Sequence, residues 1–191
     1  TASEIAQCLV GSGFRTKGVD RAVRALAALP PERRRETRLV VIGDGRAGPY
    51  RRLAARLGVA DRVLIRPGRG DVMACYAAAD LLLHPARREN TGGVILEAMI
   101  AGLPVLCTGA CGFAVHVERA GAGIVLPEPF AQDRLDAALA AMLSPERRAA
   151  WSRSALRYAE TTDLHGGQEA AARLIEALVR EKRAQPAADR T

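Results

Sequence analysis

The stretch Asp80-Leu81-Leu82-Leu83-His84, its link Pro85-Ala86-Arg87-Arg88-Glu89-Asn90-Thr91-Gly92-Gly93, and the run Val94-Ile95-Leu96-Glu97-Ala98-Met99-Ile100-Ala101 together decide the fold class. Three leucines in a row, with no alternation, suit a strand buried on both faces, as in a parallel sheet. The apolar run behind the glycine pair is long enough for a helix. The same order recurs along the chain: Ile5 to Val10 leads into Val19 to Leu29, Arg38 to Ile42 into Pro49 to Leu57, and Arg62 to Ile65 into Asp71 to Ala79. Pro104 to Thr108 then leads into Phe113 to Ala120, and Gly123 to Leu126 into Asp133 to Leu143. Six strand-helix units predict a doubly wound, Rossmann-like α/β domain with a parallel six-stranded sheet. Ser144, Pro145 and Glu146 form a helix-start signature, so a helix should run to about Ala159. Gly166-Gly167 separates it from a last helix over Gln168 to Lys182. The domain is therefore expected to span 1–182, with a frayed tail over 183–191.

A chain of 191 residues that is 49% hydrophobic fits one domain. At this length roughly 70% of the unfolded surface is buried, enough for a core without disulfide or metal. No apolar run approaches the ~20 residues that span a bilayer, and no signal-peptide pattern opens the chain, so a cytoplasmic domain is expected. The start Thr-Ala-Ser-Glu, lacking Met, reads as a cut from a longer protein. Cys8, Cys75, Cys107 and Cys111 show neither zinc-knuckle nor CxxC spacing, and buried free thiols are expected. The net charge is +7, yet Lys17 and Lys182 are the only lysines among 28 basic residues. That surplus suits a phosphate-bearing ligand, an anionic surface or nucleic acid. Aromatics are 4% and do not interleave with the arginines, which argues against stacking on single-stranded bases.

In the usual strand order 3-2-1-4-5-6, the loops after strands one and four meet at the switch point where ligands bind. The first loop is Gly11-Ser12-Gly13-Phe14-Arg15-Thr16-Lys17-Gly18. Its glycines allow close backbone approach, and Arg15 and Lys17 bring cations to the crevice, which suits a diphosphate. A plain glycine-rich turn with solvated cations is the alternative. It is neither a Walker loop nor a clean GxGxxG. In the second loop Asn90 or Thr91 is expected to cap the helix, leaving the Gly92-Gly93 backbone to meet an anion at the positive helix end. Glu97 stands among apolar neighbours on what reads as a buried helix, so its carboxylate must be paired, hydrogen-bonded or facing a polar pocket. His84 is read as either a site residue or a packed histidine, and Trp151 as an anchor. His116 and His165 are assigned no role, and Asp44 and Arg46 a turn. Cys107 to Gly112 is read as turn chemistry that borders the pocket at most.

Glu89 and Glu97, with seven residues between them in ENTGGVILE, resemble the paired-glutamate motif of retaining nucleotide-sugar glycosyltransferases of the GT-B fold. With KGVDRAVRAL, VVIGDG, AAADLLLHPA and EAMIAGLPVLCT, the chain resembles the C-terminal, donor-binding half of the bacterial lipopolysaccharide core glucosyltransferase family, over most of residues 9 to 180. The resemblance implies that Lys17 contacts the donor diphosphate and Glu97 the ribose hydroxyls. Glu89 and the backbone of Asn90, Thr91, Gly92 and Gly93 would face the sugar and phosphates, and Arg66 to Arg69 would line the base. Gly13 and Arg15 complete the donor set, with Glu89 and Lys17 as the catalytic pair. Ser12 stands where the family commonly has an arginine, and Arg15 lies closer to the lysine, which makes it a less secure phosphate ligand.

The resemblance further implies transfer of a hexose from a nucleotide sugar such as UDP-glucose, with retention and without a metal or other cofactor. The isolated domain would bind donor and leave transfer to a missing N-terminal acceptor domain. The acceptor would be a glycan or glycolipid, and a lipid-linked one would bring the whole enzyme to the inner face of the membrane. A nucleotide-sugar epimerase and a dinucleotide-binding oxidoreductase domain are the alternatives. The broken glycine fingerprint, and no clear ribose-binding acid closing strand two, count against the latter. Nucleic acid is not expected as a partner.

Overall fold

The computed structural model describes residues 4–164 together with Ile175, Glu176 and Arg180. The expected last helix, Gln168 to Lys182, lies outside the described residues apart from those three positions, as do the tail 183–191 and His165. The chain divides into two compact units, Thr1–Tyr158 and Ala159–Thr191, and the sheet belongs to the first.

In order, the elements are β1 (Ile5–Val10), α1 (Val19–Ala28), α2 (Pro31–Arg35), β2 (Thr37–Ile42), α3 (Gly48–Arg56) and, after a 3-10 turn at Ala60–Arg62, β3 (Val63–Arg66). Then come α4 (Val72–Ala77), β4 (Leu81–His84), α5 (Gly93–Ile100), β5 (Val105–Thr108), α6 (Ala114–Ala120), β6 (Gly123–Leu126), α7 (Gln132–Met142) and α8 (Pro145–Thr161). The strands form one sheet in the order β3-β2-β1-β4-β5-β6, and every pairing is parallel. That is the expected order, with the crossover between β1 and β4 creating the crevice. Boundaries differ by a residue or two from the expected ones: α4 is shorter than Asp71 to Ala79, and α2, a five-residue helix after Pro30, is an addition to the expected elements.

Alternation along the strands divides the core in two. Leu9, Leu39, Val41, Leu81 and Leu83 face one way and pack with Val23 and Leu26 of α1, Leu53 of α3, and Leu135 and Leu139 of α7. Cys8, Val10, Leu82, Val105 and Cys107 face the other way, against Tyr76 of α4, Ile95 and Met99 of α5, and Val117 of α6. Helices thus cover both faces, which explains why Leu81, Leu82 and Leu83 are all fully buried. Each such leucine contributes about 1.5–3 kcal/mol by leaving water. Trp151 packs against the first cluster, as an anchor should. Among the described residues no helix is long and apolar enough to cross a membrane.

Candidate active site

The two loops at the switch point are bolted together by backbone. Gly18 adopts φ 72°, and a Cβ there would stand 2.0 Å from the Pro85 carbonyl oxygen. Only glycine meets both conditions. Arg21 donates to the Pro85 and Ala86 carbonyls at 3.2 and 3.1 Å, and the Arg87 N–H donates to the Thr16 carbonyl at 2.8 Å. Arg87 also clasps Asp20 through both guanidinium nitrogens, at 2.7 and 2.6 Å. Inside the first loop, Phe14 is buried edge-on to Tyr50, and the Lys17 N–H donates to the Gly13 carbonyl at 3.1 Å. The loop therefore has one defined shape, with the Lys17 stem lying across Gly11, where a Cβ would meet Lys17 Cε at 2.8 Å.

The second loop is held from its far side by the turn after β5. Glu89 forms a parallel bridge with Cys111, the Phe113 N–H donates to the Thr91 carbonyl at 2.7 Å, and Thr108 Oγ1 donates to the Ala86 carbonyl at 2.7 Å. A Cβ on Gly112 would lie 2.3 Å from the Asn90 carbonyl oxygen. The Cys107 to Gly112 segment is thus a scaffold for residues 89–91, a larger part than a plain turn.

This clamping brings Lys17 and Glu89 together: Lys17 Nζ donates directly to Glu89 Oε2. The two side chains are only 18% and 15% exposed. His84 is fully buried at the end of β4, with Nε2 3.4 Å from the same Glu89 oxygen. His84 first, and then Lys17, hold the Glu89 carboxyl down to about 2, against the burial that would raise it. The site therefore carries a permanent carboxylate beside a cation. Cys111 next to it is pushed up by burial and stays a neutral thiol.

Neither Asn90 nor Thr91 caps α5. Both side chains are exposed, and the capping position is Gly92, with φ 83° and no side-chain hydrogen bond. The chain must turn from the Glu89 bridge into the helix within three residues, which demands a left-handed conformation that Asn90 and Thr91 do not supply. Gly93 has nothing within 4 Å of its Cβ direction, so the first turn of α5 is open. The Ile95 N–H donates to the Gly92 carbonyl at 2.8 Å, while those of Gly93 and Val94, which precede it, have no intrahelical acceptor and meet an anion favourably.

Glu97 is exposed, which corrects the reading of α5 as buried all round. Ile95, Leu96, Ala98 and Met99 are buried, while Gly93 and Glu97, four apart, share the exposed face at the open helix start. Tyr76 Oη, from fully buried Tyr76 of α4, donates to Glu97 Oε2 at 2.9 Å. The Tyr76 phenol is pushed well up by burial and by Glu97, so it remains a donor. Tyr76 escapes sequence reasoning because its partner is 21 positions away.

The remaining expected residues separate. Gly13 is exposed with open space around it. Arg15 is exposed and, with Gly13, Arg46 and Tyr50, borders a hollow of about 390 Å³ that neither Lys17 nor Glu89 lines. Gly68 and Arg69 line a hollow of about 360 Å³ at the carboxyl ends of β1 and β2, together with Gly11, Ser12 and Asp44. Arg66 lines a different hollow of about 240 Å³ on the α4 face. Asp44 does more than make a turn. Its carbonyl accepts from Gly13 N–H at 3.0 Å, its carboxylate from Gly68 N–H at 3.2 Å, and its N–H donates to Ser12 Oγ at 3.1 Å. It joins the loops after β1, β2 and β3, a role that GDG alone does not signal. His116 has a structural partner, Tyr158 Oη at 2.9 Å. Among the described residues no three His, Cys, Asp or Glu side chains gather as metal ligands.

An open helix N-terminus, a half-buried lysine-carboxylate pair and a second carboxylate one helical turn away, all at a switch point, are features that suit an anionic, hydroxyl-bearing ligand. The chain belongs to the group 1 glycosyl transferases, whose family model matches residues 4–158. It is 47% identical over 167 residues to the lipopolysaccharide glucosyltransferase WaaG of Escherichia coli K12, covering 87% of this chain and 45% of that protein. The crystal structure of WaaG, a glycosyltransferase involved in lipopolysaccharide biosynthesis, superimposes with a TM-score of 0.88 at 44% identity, covering 92% of this chain and 48% of that one. Anabaena HepE in complex with UDP matches with a TM-score of 0.70 at 25% identity, over 88% of this chain and 48% of its own. The chain spans about half the length of these relatives.

Proposed function

We propose that this chain is the donor-binding half of a hexosyltransferase that takes a nucleotide sugar, UDP-glucose or a close relative, and passes the sugar with retention to a lipopolysaccharide-core or similar glycan acceptor. The observation that carries the reading is the Lys17–Glu89 pair set beside the open N-terminus of α5. The likeness to WaaG and to a relative bound to UDP supports the choice of ligand. As the glycosidic bond breaks, negative charge grows on the leaving nucleoside diphosphate. Lys17 and the α5 N–H groups are fixed in advance where that charge develops, and electrostatic stabilisation of this kind is a large share of catalysis. Glu97, steadied by Tyr76, accepts from the ribose hydroxyls, and Glu89 faces the sugar. The base occupies the 360 Å³ hollow between the loops after β1, β2 and β3.

The acceptor and the rest of the catalytic groups belong, in this reading, to a further domain of the GT-B arrangement, so the chain alone binds donor without transferring it. With a lipid-linked acceptor the whole enzyme works at the inner membrane face. Calorimetric titration with UDP, GDP, ADP and NAD tests the reading, with and without EDTA. UDP should bind most tightly and EDTA should leave its affinity unchanged. Preference for NAD, or loss of UDP binding on chelation restored by Mn²⁺, would overturn it.

A further inference from the structure

His84 presents an unusual combination. It is fully buried, and neither ring nitrogen has a hydrogen-bond partner among the described residues. A buried unpaired polar group costs free energy, so its retention calls for a partner in some state of the protein. One candidate is close: Nε2 lies 3.4 Å from Glu89 Oε2, near but not aligned as a hydrogen bond. That oxygen is already engaged by Lys17.

A diphosphate at the open start of α5 competes for Lys17, because two phosphates offer the ammonium more charge than one carboxylate does. Glu89 would then remain as a mostly buried anion without its cation, an arrangement costly enough to resist donor binding. The backbone of Glu89 is fixed by its bridge to Cys111, so only its side chain is free to move. The nearest group able to receive it is His84. We propose that His84 is the second holder of Glu89: when a donor diphosphate draws Lys17 away, the carboxylate closes onto His84 Nε2 and stays at the sugar side of the site. His84 is thus a positioning residue that acts through Glu89.

The charged and titratable groups around this pair are few. Lys17 comes from the loop after β1, and Cys111 from the turn after β5. Cys107, the register partner of His84 on β5, is also raised by burial and neutral. Arg21 donates to the Pro85 and Ala86 carbonyls and lies over the Phe130 ring, 3.5 Å from its centroid. No other carboxylate competes with Glu89 for the ring among these groups.

The exchange rests on the reading of Lys17 as a diphosphate ligand, and NMR titration of the His84 ring separates the two. UDP should move the His84 ring ¹⁵N and ¹H resonances in the wild type, as a new carboxylate contact at Nε2 does. Lys17→Met should show the moved resonances without UDP, because Glu89 is already released. In Glu89→Gln, UDP should leave the ring unmoved, and His84→Asn should weaken UDP binding roughly five-fold. Ring resonances that are the same in the wild type with bound UDP and in Lys17→Met as in the free wild type would overturn the exchange. An equal UDP shift in Glu89→Gln would overturn it too, since the phosphate field alone would then act on His84. If UDP fails to bind the wild type, the donor reading falls, and Lys17→Met still decides whether Glu89 turns to His84.

Discussion

Gly18 and Pro85 are in backbone contact across the switch point: a Cβ on Gly18 would lie 2.0 Å from the Pro85 carbonyl oxygen. The first turn of α1 and the end of β4 are therefore one unit, and Lys17 is aimed by that contact. Gly13, in the same loop at φ 76°, has nothing within 4 Å. The two glycines share a conformation and differ in surroundings.

Gly18→Ala should consequently cost more than Gly13→Ala. Both incur the left-handed penalty of about 1–2 kcal/mol. Gly18→Ala must also push the loops apart, adding on the order of 1–3 kcal/mol as overpacking does. Urea denaturation measures the difference. Equal losses would mean that the Gly18–Pro85 contact relaxes freely and does not orient Lys17.

The Tyr76–Glu97 hydrogen bond makes a separate prediction about ribose. A carboxylate accepting vicinal hydroxyls forms charge-assisted bonds of roughly 1.5–3 kcal/mol. Glu97→Gln should lose that much UDP affinity and narrow the preference for UDP over 2′-deoxy-UDP, with the fold intact by circular dichroism. Tyr76→Phe should produce a smaller narrowing, about 0.5–1.5 kcal/mol, because it frees the carboxylate without removing it. Equal loss for both nucleotides would make Glu97 a structural partner only.

Acid should expose the Lys17–Glu89–His84 cluster. The Glu89 carboxyl sits at about 2 in the folded chain against an ordinary 4.5. With the folded value below the unfolded one, its stabilising effect is complete above pH 4.5 and is lost as pH falls towards 2. Wild-type stability should therefore fall more steeply than that of Glu89→Gln across this interval, by urea melts at several pH values. Parallel slopes would contradict the depressed carboxyl.

Much of the fold is legible in the residues. Unalternating runs such as Leu81 to Leu83 and Leu39 to Ile42 mark buried parallel strands, and the alternation of strands with helices leads to the strand order observed. Lys17 stands out as a lysine beside glycines and Glu97 as the one charge on an apolar helix, whereas Glu89, between Arg88 and Asn90, is picked out by the paired-glutamate resemblance. Lys17 and Glu89 do meet, and Glu97 lies on the open face of α5. The exposure of Glu97 is also readable, since Gly93 and Glu97 fall four apart on α5, but the surrounding apolar run conceals that stripe. What escapes is long-range. The phenol on Glu97, the three-loop tie at Asp44 and the burial of His84 depend on contacts between segments far apart in the chain, which no local pattern encodes. The cap at Gly92 escapes for another reason: capping preference favours Asn90 and Thr91, and the tight turn from the Glu89–Cys111 bridge overrides it.

Every role proposed for the site depends on Lys17 holding a nucleoside diphosphate. Calorimetric titration of the wild type and Lys17→Ala with UDP and, as a phosphate-free control, uridine reads that contact itself. Removing a charged hydrogen-bond donor should weaken UDP binding by roughly 1.5–3 kcal/mol and leave uridine binding unchanged. A folded Lys17→Ala chain that binds UDP as tightly as the wild type would contradict the diphosphate role and, with it, the donor site.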